Sequence, residues 1–294
     1  MKRSRPVAPV VLKFGGELLE DPPRMAALAS TIGALSRKRP AVPLVIVHGG
    51  GREIDASLAR AGIEKRQVDG LRITDEPTLD VVVGVLAGLV NTRFVAALCA
   101  AGVHAVGLTG ADAGVGRVRA AAPHRSTTGE IVDLGRVGEP IGRETPALLI
   151  DLCRNGYVPV VSSIGASRTG LLFNVNADTL AAHLAGRLRS PRFIIAGATA
   201  GVLDADGATI TDIDLRGVLA LVKGGAATAG MVAKLAACRT ALVNGARDVF
   251  VADGKDLAGL GVLTRYGRVA GAARSTRIHN GKAALRRKIG KIAS

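Results

Sequence analysis

The sequence predicts an α/β protein with a mainly parallel sheet covered by helices. Two observations support this fold class. Short β-branched runs alternate with longer stretches rich in Ala and Leu. The order strand, glycine turn, helix also occurs twice within the first 62 residues, which is typical of parallel strands joined by crossover helices. With 294 residues, 48% of them hydrophobic, the chain is long enough for one large domain or two closely joined lobes.

The predicted elements follow this rhythm along the chain. Strands are predicted at 7–12, 44–47, 103–108, 157–162, 193–195 and 248–251. Helices are predicted at 23–38, 52–61, 77–101, 144–155, 176–188 and 231–244, with a glycine turn at 224–230 before the last. Residues 110–143, rich in Gly, Arg and Thr, are expected to form hairpins over one edge of the sheet. Residues from about 275 onward are expected to be an appended basic tail, partly helical at 282–292.

The helix predicted at 77–101 has clear end signals and one unusual feature. Pro77 suits its first turn, and Gly102 ends it. Within it, Gly84 and Gly88 each cost about 1 kcal/mol relative to Ala. Two glycines on one face indicate close packing by another element, belonging either to another subunit or to the same chain.

The net charge of +15 is concentrated at the two ends of the chain. Residues 1–5 and 274–294 contain no acidic residue and hold ten cationic ones: Lys2, Arg3, Arg5, Arg274, Arg277, Lys282, Arg286, Arg287, Lys288 and Lys291. Such runs are typical of solvated tails, and they also fit weak contact with RNA, DNA or an acidic protein. Because aromatic residues make up only 2% of the chain, stacking platforms for single-stranded nucleic acid are disfavoured.

Cysteine use and the N-terminal sequence favour a soluble cytoplasmic protein without membrane association. Cys99, Cys153 and Cys238 are scattered, which indicates reduced thiols rather than a disulfide framework. The basic N-terminus lacks an apolar segment of signal-peptide length. The most apolar run, 81–90, has ten residues, too few to span a bilayer.

Two glycine turns follow the first two predicted strands. They are KFGG at 13–16 and HGGG at 48–51. In an open parallel sheet, ligands bind at the carboxyl ends of the strands. Consecutive glycines let backbone N–H groups approach an anion, and a following helix N-terminus favours negative charge. Either turn alone fits an ordinary tight turn, whereas two on neighbouring strands favour a phosphate site.

Several common site motifs are absent from the sequence. There is no GxxxxGK[ST], neither glycine turn completes GxGxxG, and there is no GxSxG. The five histidines lack metal-ligand spacing, so no metal site built from protein residues is expected. The histidines are interpreted as structural, with His48 the one best placed for another role.

Four further polar segments lie at predicted strand or loop ends, at 69–75, 133–138, 174–178 and 228–234. Singly, each has an ordinary explanation: helix capping for 174–178, a surface cation for Arg72, a solvated helix residue for Lys234. Together with the glycine turns, however, they resemble the acetylglutamate kinases of the amino-acid kinase family. The resemblance covers roughly residues 8–255 and consists of VLKFGG, VIVHGGG, VDGLRITD, GVLAGLVN, DLGRVGEP, FNVNAD and AGMVAKL in family order.

The resemblance implies a three-layer αβα sandwich with an open, mainly parallel central sheet. Residues 1–173 would form an N-terminal lobe that binds the amino-acid substrate and makes the dimer contact. Residues 174–273 would form an ATP-binding lobe, and residues 274–294 the basic tail. The implied reaction is ATP-dependent phosphorylation of the side-chain carboxylate of N-acetyl-L-glutamate to N-acetyl-L-glutamyl 5-phosphate, a step of arginine biosynthesis.

The same resemblance implies a role for each motif residue. Lys13 and Lys234 would be catalytic lysines, both oriented by Asp178. The substrate would contact Gly50, Gly51, Arg72 and Asn174, and the phosphates and nucleotide would contact Gly15, Gly16, Gly49 and Gly201. Mg²⁺ would be bound mainly through the nucleotide phosphates.

The chemistry of a carboxylate acceptor agrees with these roles. A glutamate side chain has a reference pKa of about 4.3, so the nucleophile is already ionised at neutral pH and needs no general base. Catalysis would then rest on positioning and on cations at the transferred phosphoryl group. The two lysines, Mg²⁺ and the backbone N–H groups of Gly15, Gly16, Gly50 and Gly51 would supply that stabilisation.

The chain departs from the family pattern in three places. Ala198 stands where the family usually has an Asp, in a segment that borders the nucleotide. The segment RSTRI at 274–278 leads into basic residues where family members usually end. Only twelve residues precede Lys13, too few for the N-terminal helix that links arginine-inhibited members into hexamers. We therefore expect an arginine-insensitive homodimer joined through the helix at 77–101.

Three alternatives remain open at this point. The first is a kinase for aminoadipate or glutamate attached to an acidic carrier protein, which a basic surface would steer. The second is a kinase for another small carboxylate in a specialised pathway. The third is an inactive regulatory relative that binds polyanions through its tail. VDGLRITD and FNVNAD favour a free substrate, and the presence of Lys13, Asp178 and Lys234 argues against lost activity.

Overall fold

A computed structural model describes residues 8–38, 40–224, 228–268 and 274–281. Part of the predicted glycine turn, 225–227, and the predicted helical piece at 282–292 lie outside these ranges.

An open sheet forms the centre of the fold. Its strands are β1 (Val10–Phe14), β2 (Leu44–His48), β3 (Ala105–Thr109), β4 (Val158–Ser162), β5 (Arg192–Gly197), β6 (Asp212–Asp214), β7 (Asp248–Asp253) and β8 (Ser275–His279). The strand order is β6-β8-β7-β5-β1-β2-β4-β3. Every neighbouring pair is parallel except β7 and β8, so the predicted mainly parallel sheet is confirmed.

Eight helices in the described part of the chain pack on the sheet, and six of them begin at a side-chain N-cap. They are α1 (Pro22–Arg37), α2 (Gly51–Arg60), α3 (Glu76–Ala100), α4 (Ala147–Arg154), α5 (Ala177–Arg187), α6 (Leu215–Lys223), α7 (Ala229–Val243) and α8 (Leu257–Tyr266). Side chains of Asp21, Asp75, Asn176, Asp214, Thr228 and Asp256 accept N-cap hydrogen bonds. Two single turns of 3₁₀ helix, Gly16–Leu18 and Asp112–Gly114, lie in loops.

Alternate residues of β1 contact two separate helical layers. Val10, Leu12 and Phe14 belong to a core formed with α1, α2, α3 and α8, whereas Val11 belongs to a core formed with α4, α5, α6 and α7. The sheet therefore separates two helical layers, and the predicted three-layer αβα sandwich is confirmed. Since side chains alternate along a strand, Lys13 lies on the same face as Val11, towards α5 and α7.

Short antiparallel ribbons occupy the loops. They pair Gln67–Val68 with Leu71–Arg72, Val118–Ala120 with Gly138–Pro140, His124–Arg125 with Ile131–Val132, Ile164–Ala166 with Leu172–Asn174, and Val202–Leu203 with Thr209–Ile210. The hairpins predicted within 110–143 are among them. Isolated bridges join Thr74 to Gly135 and Val137 to Asn174, so the ribbons meet near the carboxyl ends of the central strands.

The structure corrects the start of the basic tail. Ser275–His279 form strand β8, which lies between β6 and β7. Arg274 pairs with Asp253 at 2.5 Å, and Arg277 pairs with Asp248 at 2.6 Å. These cations therefore neutralise carboxylates of the fold and are not part of a solvated tail. The prediction missed the strand because its basic residues continue a charge run, while their acidic partners lie far away in the sequence.

Helix α3 is continuous over the predicted range but changes character in the middle. The segment Gly84–Val90 is wound as a π-helix. A Cβ built on Gly84 or Gly88 would meet no atom of the described chain within 4 Å, so neither glycine is explained by packing within the chain. By length and mean hydropathy (25 residues, 2.0), α3 could also cross a membrane, and 39% of its most apolar window is buried inside the protein.

Candidate active site

A buried ion pair lies where β1 meets α5. Lys13 Nζ is 2.9 Å from Asp178 Oδ1, and each side chain is only 9% exposed. Oδ1 accepts no aligned hydrogen bond from the described residues, so the contact is electrostatic. Asp178 lies in the first turn of α5, where the helix dipole favours a negative charge. The capping explanation for this segment holds for Asn176, which accepts from Thr179 N at 3.1 Å, and leaves Asp178 free to pair with Lys13.

The two glycine turns lie against each other. A Cβ built on Gly16 would be 2.9 Å from the Cα of Gly50, so only glycine fits there. Gly16 and Gly51 begin helical turns and Gly50 caps α2. Their N–H groups donate no hydrogen bond to the described residues and are available to an anion.

Gly15 and Gly49 differ from the other glycines of the turns. Gly15 N donates to Ala196 O at 3.1 Å, and Gly49 N donates to Phe14 O at 3.4 Å. The expectation that the Gly15 N–H would serve as an anion donor is therefore not met, because this group links β1 to β5. Gly15 instead leaves room for the carboxylate of Glu17, which lies where a Cβ on residue 15 would stand.

A cavity of about 260 Å³ opens beside the ion pair and the glycines. Its lining includes Lys13, Gly15, Gly16, Gly49, Gly50, Gly51, Arg72 and Asn174, which are eight of the eleven predicted site residues. The structure thus brings together residues that are up to 161 positions apart, as the resemblance implied.

Arg72 lines this cavity and forms a charged cluster with two neighbouring residues. Its Nη2 pairs with Asp55, and Lys65 holds the same carboxylate at 2.8 Å. Burial tends to raise the pKa of Asp55, but hydrogen bonds from Lys65 and Arg72 lower it overall. The other terminal nitrogen, Nη1, is buried and has no partner among the described residues. A guanidinium N–H group without a partner has the chemistry to donate a hydrogen bond to a carboxylate.

Asn174 also lines this cavity. Its Nδ2 donates to Thr74 Oγ1 at 3.2 Å, and its backbone N donates to Arg136 O at 2.9 Å. These bonds fix the strand end that precedes α5. The predicted substrate residues Arg72 and Asn174 therefore face one cavity from two different ribbons.

Lys234 lies on the other side of the crevice, on α7. It is half-buried, and its Cε is 3.9 Å from the Cβ position of Gly197 at the end of β5. Within the described ranges it makes no ion pair, so the predicted contact with Asp178 is not formed in this structure. Cys238, one turn along α7, does interact electrostatically with Asp178. Burial raises the pKa of the Cys238 thiol, and the negative charge of Asp178 raises it further. Asp178 and α7 therefore face each other.

Two other residues singled out in the sequence, Gly201 and His48, make packing contacts within the fold. Gly201 has a φ of +92°, and a Cβ there would lie 2.6 Å from Thr276 Oγ1, so this glycine lies against β8 and outside the cavity. His48 is fully buried, and its Nε2 is 3.0 Å from Asn91 Nδ2. Burial lowers the pKa of His48 to about 4, so it is neutral and holds α3 against β2. The described residues hold no group of three His, Cys, Asp or Glu side chains suited to a metal ion.

Sequence reasoning missed two carboxylates of the site. Asp55 fixes the guanidinium of Arg72, and Glu17 lies over Gly15. Asp55 could have been found from its position, because residues 51 and 55 are one turn apart on the helix that follows the glycine turn. Glu17 gives no comparable signal in the sequence.

Comparison with known proteins agrees with this geometry. The pattern of the amino acid kinase family matches residues 8–253. A protein of Nitratidesulfovibrio vulgaris (strain DP4) named acetylglutamate kinase is 37% identical over 249 residues, covering 84% of this chain and 80% of that protein. These matches confirm the resemblance seen in the motifs.

Two solved structures share the fold. N-acetylglutamate synthase from Neisseria gonorrhoeae, complexed with coenzyme A and N-acetyl-glutamate, has a TM-score of 0.76 at 26% identity. The match covers 92% of this chain and 59% of the synthase chain, so the chain spans well under two thirds of that protein's length. Giardia carbamate kinase has a TM-score of 0.64 at 16% identity and covers 93% of this chain and 99% of the other, which shows a common fold.

Proposed function

We propose that this chain, which belongs to the amino acid kinase family, transfers the terminal phosphoryl group of ATP to the side-chain carboxylate of N-acetyl-L-glutamate. The new P–O bond forms to a carboxylate oxygen as the bond between the terminal phosphorus and the bridging oxygen of ATP breaks. The products are N-acetyl-L-glutamyl 5-phosphate and ADP, and the step belongs to arginine biosynthesis.

The observation that carries this proposal is that two cationic side chains line the same cavity. Two cationic side chains, those of Lys13 and Arg72, line one cavity of about 260 Å³, and Nη1 of Arg72 has no partner among the described residues. Two cationic groups suit a substrate with two carboxylates. Arg72 suits the carboxylate that does not react, and Lys13 suits the one that does.

The residues act by placement and by charge. The acceptor carboxylate is ionised at neutral pH, so no base is required, which agrees with the buried, neutral His48. Lys13, held by Asp178, faces the transferred group, and the N–H groups of Gly16, Gly50 and Gly51 add fixed dipoles. We place the nucleotide on the side of β5 and α7, where Lys234 reaches the end of the sheet.

Mg²⁺ is the metal that accompanies ATP in this reaction. Because the described residues hold no cluster of three metal-binding side chains, an all-protein magnesium site does not fit. Mg²⁺ usually keeps several waters and binds through one or two carboxylates together with substrate phosphates, and the crevice has a carboxylate for this in Glu17. When bound, the ion neutralises charge on the phosphates.

A homodimer joined through α3 is part of the proposal. Gly84 and Gly88 leave open space on a helix whose most apolar window is only 39% buried, and β3, its neighbour, is an edge strand of the sheet. A second copy would cover this face, which a cytoplasmic protein would otherwise expose to water. We also propose that the dimer is insensitive to arginine, and that residues 8–173 and 174–268 act as the substrate and nucleotide lobes.

Release of ADP tests the proposed reaction. ADP formation from Mg-ATP should require N-acetylglutamate and should not be supported by its amide analogue, N-acetylglutamine. Equal ADP formation with and without N-acetylglutamate would contradict the proposal, because it would indicate simple hydrolysis.

The basic residues from 282 to 291 lie outside the described residues, and a contact with an acidic protein or polyanion through them is a separate proposal. Retention of the full chain on heparin at higher salt than a chain ended after residue 281 would support it, and equal retention would contradict it.

A further inference from the structure

The carboxylate of Glu17 occupies the crevice between β1 and β5. Both of its oxygens lie in the space that a Cβ on Gly15 would need, and Gly15, which directly follows β1, donates its N–H to β5. Its Oε1 also lies 3.2 Å from the Cβ position of Gly197, at the carboxyl end of β5. Two glycines, Gly15 just after β1 and Gly197 at the end of β5, leave the room that this side chain fills.

This crevice is the switch point of the sheet. From β1 the chain continues to β2 on one side of this crevice, and from β5 it continues to β6 on the other side. The two connections therefore leave the crevice in opposite directions. In open α/β sheets, ligands bind in this crevice, outside the carboxyl ends of the strands. The Cε of Lys234 lies 3.9 Å from the same Gly197 position, so Glu17 and Lys234 both lie at the carboxyl end of β5.

The charge of Glu17 has no partner in the described part of the chain. Asp178 is paired with Lys13, and Asp55 is paired with Arg72 and Lys65, whereas the Glu17 carboxylate makes no hydrogen bond or ion pair there. It is half-buried and lines the cavity. An unpaired carboxylate facing the path of a polyphosphate would repel it, unless a cation lies between the two.

We propose that Glu17 is the protein's contact for the divalent cation that arrives with the nucleotide, and that it thereby selects metal-bound over metal-free ATP. The inference rests on the proposed placement of the nucleotide beside β5. A carboxylate is a ligand that Mg²⁺ accepts directly or through one of its waters. Glu17 therefore attracts the complex that carries the metal and repels free ATP.

The test compares ATP binding with and without metal by calorimetry, in the absence of the acceptor so that no turnover is needed. The variants are Glu17→Gln and, as the matched control, Glu20→Gln, which removes a carboxylate from the same turn. Glu20 is mostly buried, pairs with the exposed Arg52 and does not line the cavity.

For Glu17→Gln, we expect weaker binding of Mg-ATP and tighter binding of ATP in EDTA, so that the ratio of the two affinities falls by about tenfold, equivalent to about 1.4 kcal/mol. Glu20→Gln should leave the ratio unchanged. If the two affinities change in opposite directions, Glu17 contacts the metal. A packing defect would instead weaken the binding of Mg-ATP and of metal-free ATP together. Should Glu17→Gln fail to fold, Glu17→Ser should give the same opposite signs.

Three results would overturn the inference. Equal weakening of both forms would assign Glu17 to packing, and unchanged affinities would place it away from the cation. An equal change of the ratio in Glu20→Gln would indicate a general charge effect. A wild-type chain that binds neither form of ATP would contradict the proposed function itself, a result distinct from these three.

Discussion

Lys13 and Asp178 are 165 positions apart in the chain, yet their charged groups lie 2.9 Å apart and almost out of contact with water. One stands on the central strand of the sheet and the other in the first turn of the helix behind it. A buried ion pair of this kind contributes little net stability, since both charges lose their hydration. In the reaction that we propose, this pair holds the Lys13 ammonium in place for phosphoryl transfer.

Replacing Lys13 should therefore affect catalysis more than substrate binding. We expect Lys13→Ala to lower kcat by about 10²–10³, the usual loss for one donor to the transition state. The change also leaves Asp178 buried without a partner, which costs about 3–5 kcal/mol of folding free energy. A thermal melt separates the two effects, and Lys223→Ala, an exposed lysine on α6, is the control. Near-normal turnover in folded Lys13→Ala would remove this lysine from the mechanism.

Arg72 should act on substrate affinity. Its buried, unpartnered Nη1 suits the non-reacting carboxylate, an interaction already made in the ground state. We expect Arg72→Ala to raise KM for the acidic substrate with a much smaller fall in kcat. Arg66→Ala is a matched control, because Arg66 belongs to the same loop but pairs with Asp75 on the surface. A fall in kcat at constant KM would contradict the assigned role.

The contact between the glycine turns predicts that Gly16 and Gly51 tolerate alanine differently. Gly16→Ala would push a methyl group against the Gly50 backbone, which cannot move aside as a side chain could. Overpacking of this kind costs about 1–3 kcal/mol. Gly51→Ala meets no atom within 4 Å and should leave the unfolding free energy nearly unchanged. Equal stability of the two variants in denaturant titrations would show that the turns are further apart.

His48 should make the fold sensitive to acid. Its pKa is about 4 in the folded protein against 6.5 for a free side chain, so the unfolded state binds the proton more readily. Above pH 6.5 the titration of His48 therefore leaves the free energy of unfolding unchanged. As the pH falls from 6.5 towards 4, that free energy falls by about 3 kcal/mol. His48→Gln should flatten the pH dependence of unfolding in this window. His104→Gln, at an exposed position, should not.

Because the proposed dimer forms through the open face of α3, a substitution on that face should disrupt the dimer. Gly88→Glu adds a charge where the described chain leaves free space, so the fold should tolerate it, although a second copy could not. We expect light scattering to show a dimer for the wild type and a monomer for Gly88→Glu. A monomeric wild type, or a dimer unaffected by this change, would place the interface elsewhere.

Most of the sheet and its helices could be predicted because their signals are local. Strand β1 and the KFGG turn, or α5 with its Asn176 cap, depend on residues close in the sequence. Strand β8 was missed because its pairing with β6 and β7 joins distant parts of the chain. Its arginines resemble a solvated run until Asp212, Asp248 and Asp253 are in place.

The composition of the site followed from motifs, but its electrostatics did not. Lys13, Arg72 and Asn174 were expected from the family pattern, and they share one cavity. The missing contact between Lys234 and Asp178, the use of the Gly15 N–H by β5, and the unpaired Glu17 all depend on side-chain and backbone geometry across the crevice. No spacing rule along a single chain reports such distances.

The proposed reaction forms an acyl phosphate on the side-chain carboxylate of N-acetylglutamate. Trapping the acyl phosphate with hydroxylamine tests it most directly, with Mg-ATP and, in parallel, N-acetylglutamate, glutamate, N-acetylaspartate and aminoadipate. We expect hydroxamate from N-acetylglutamate alone. Hydroxamate from another of these acids, or from none of them, would contradict it.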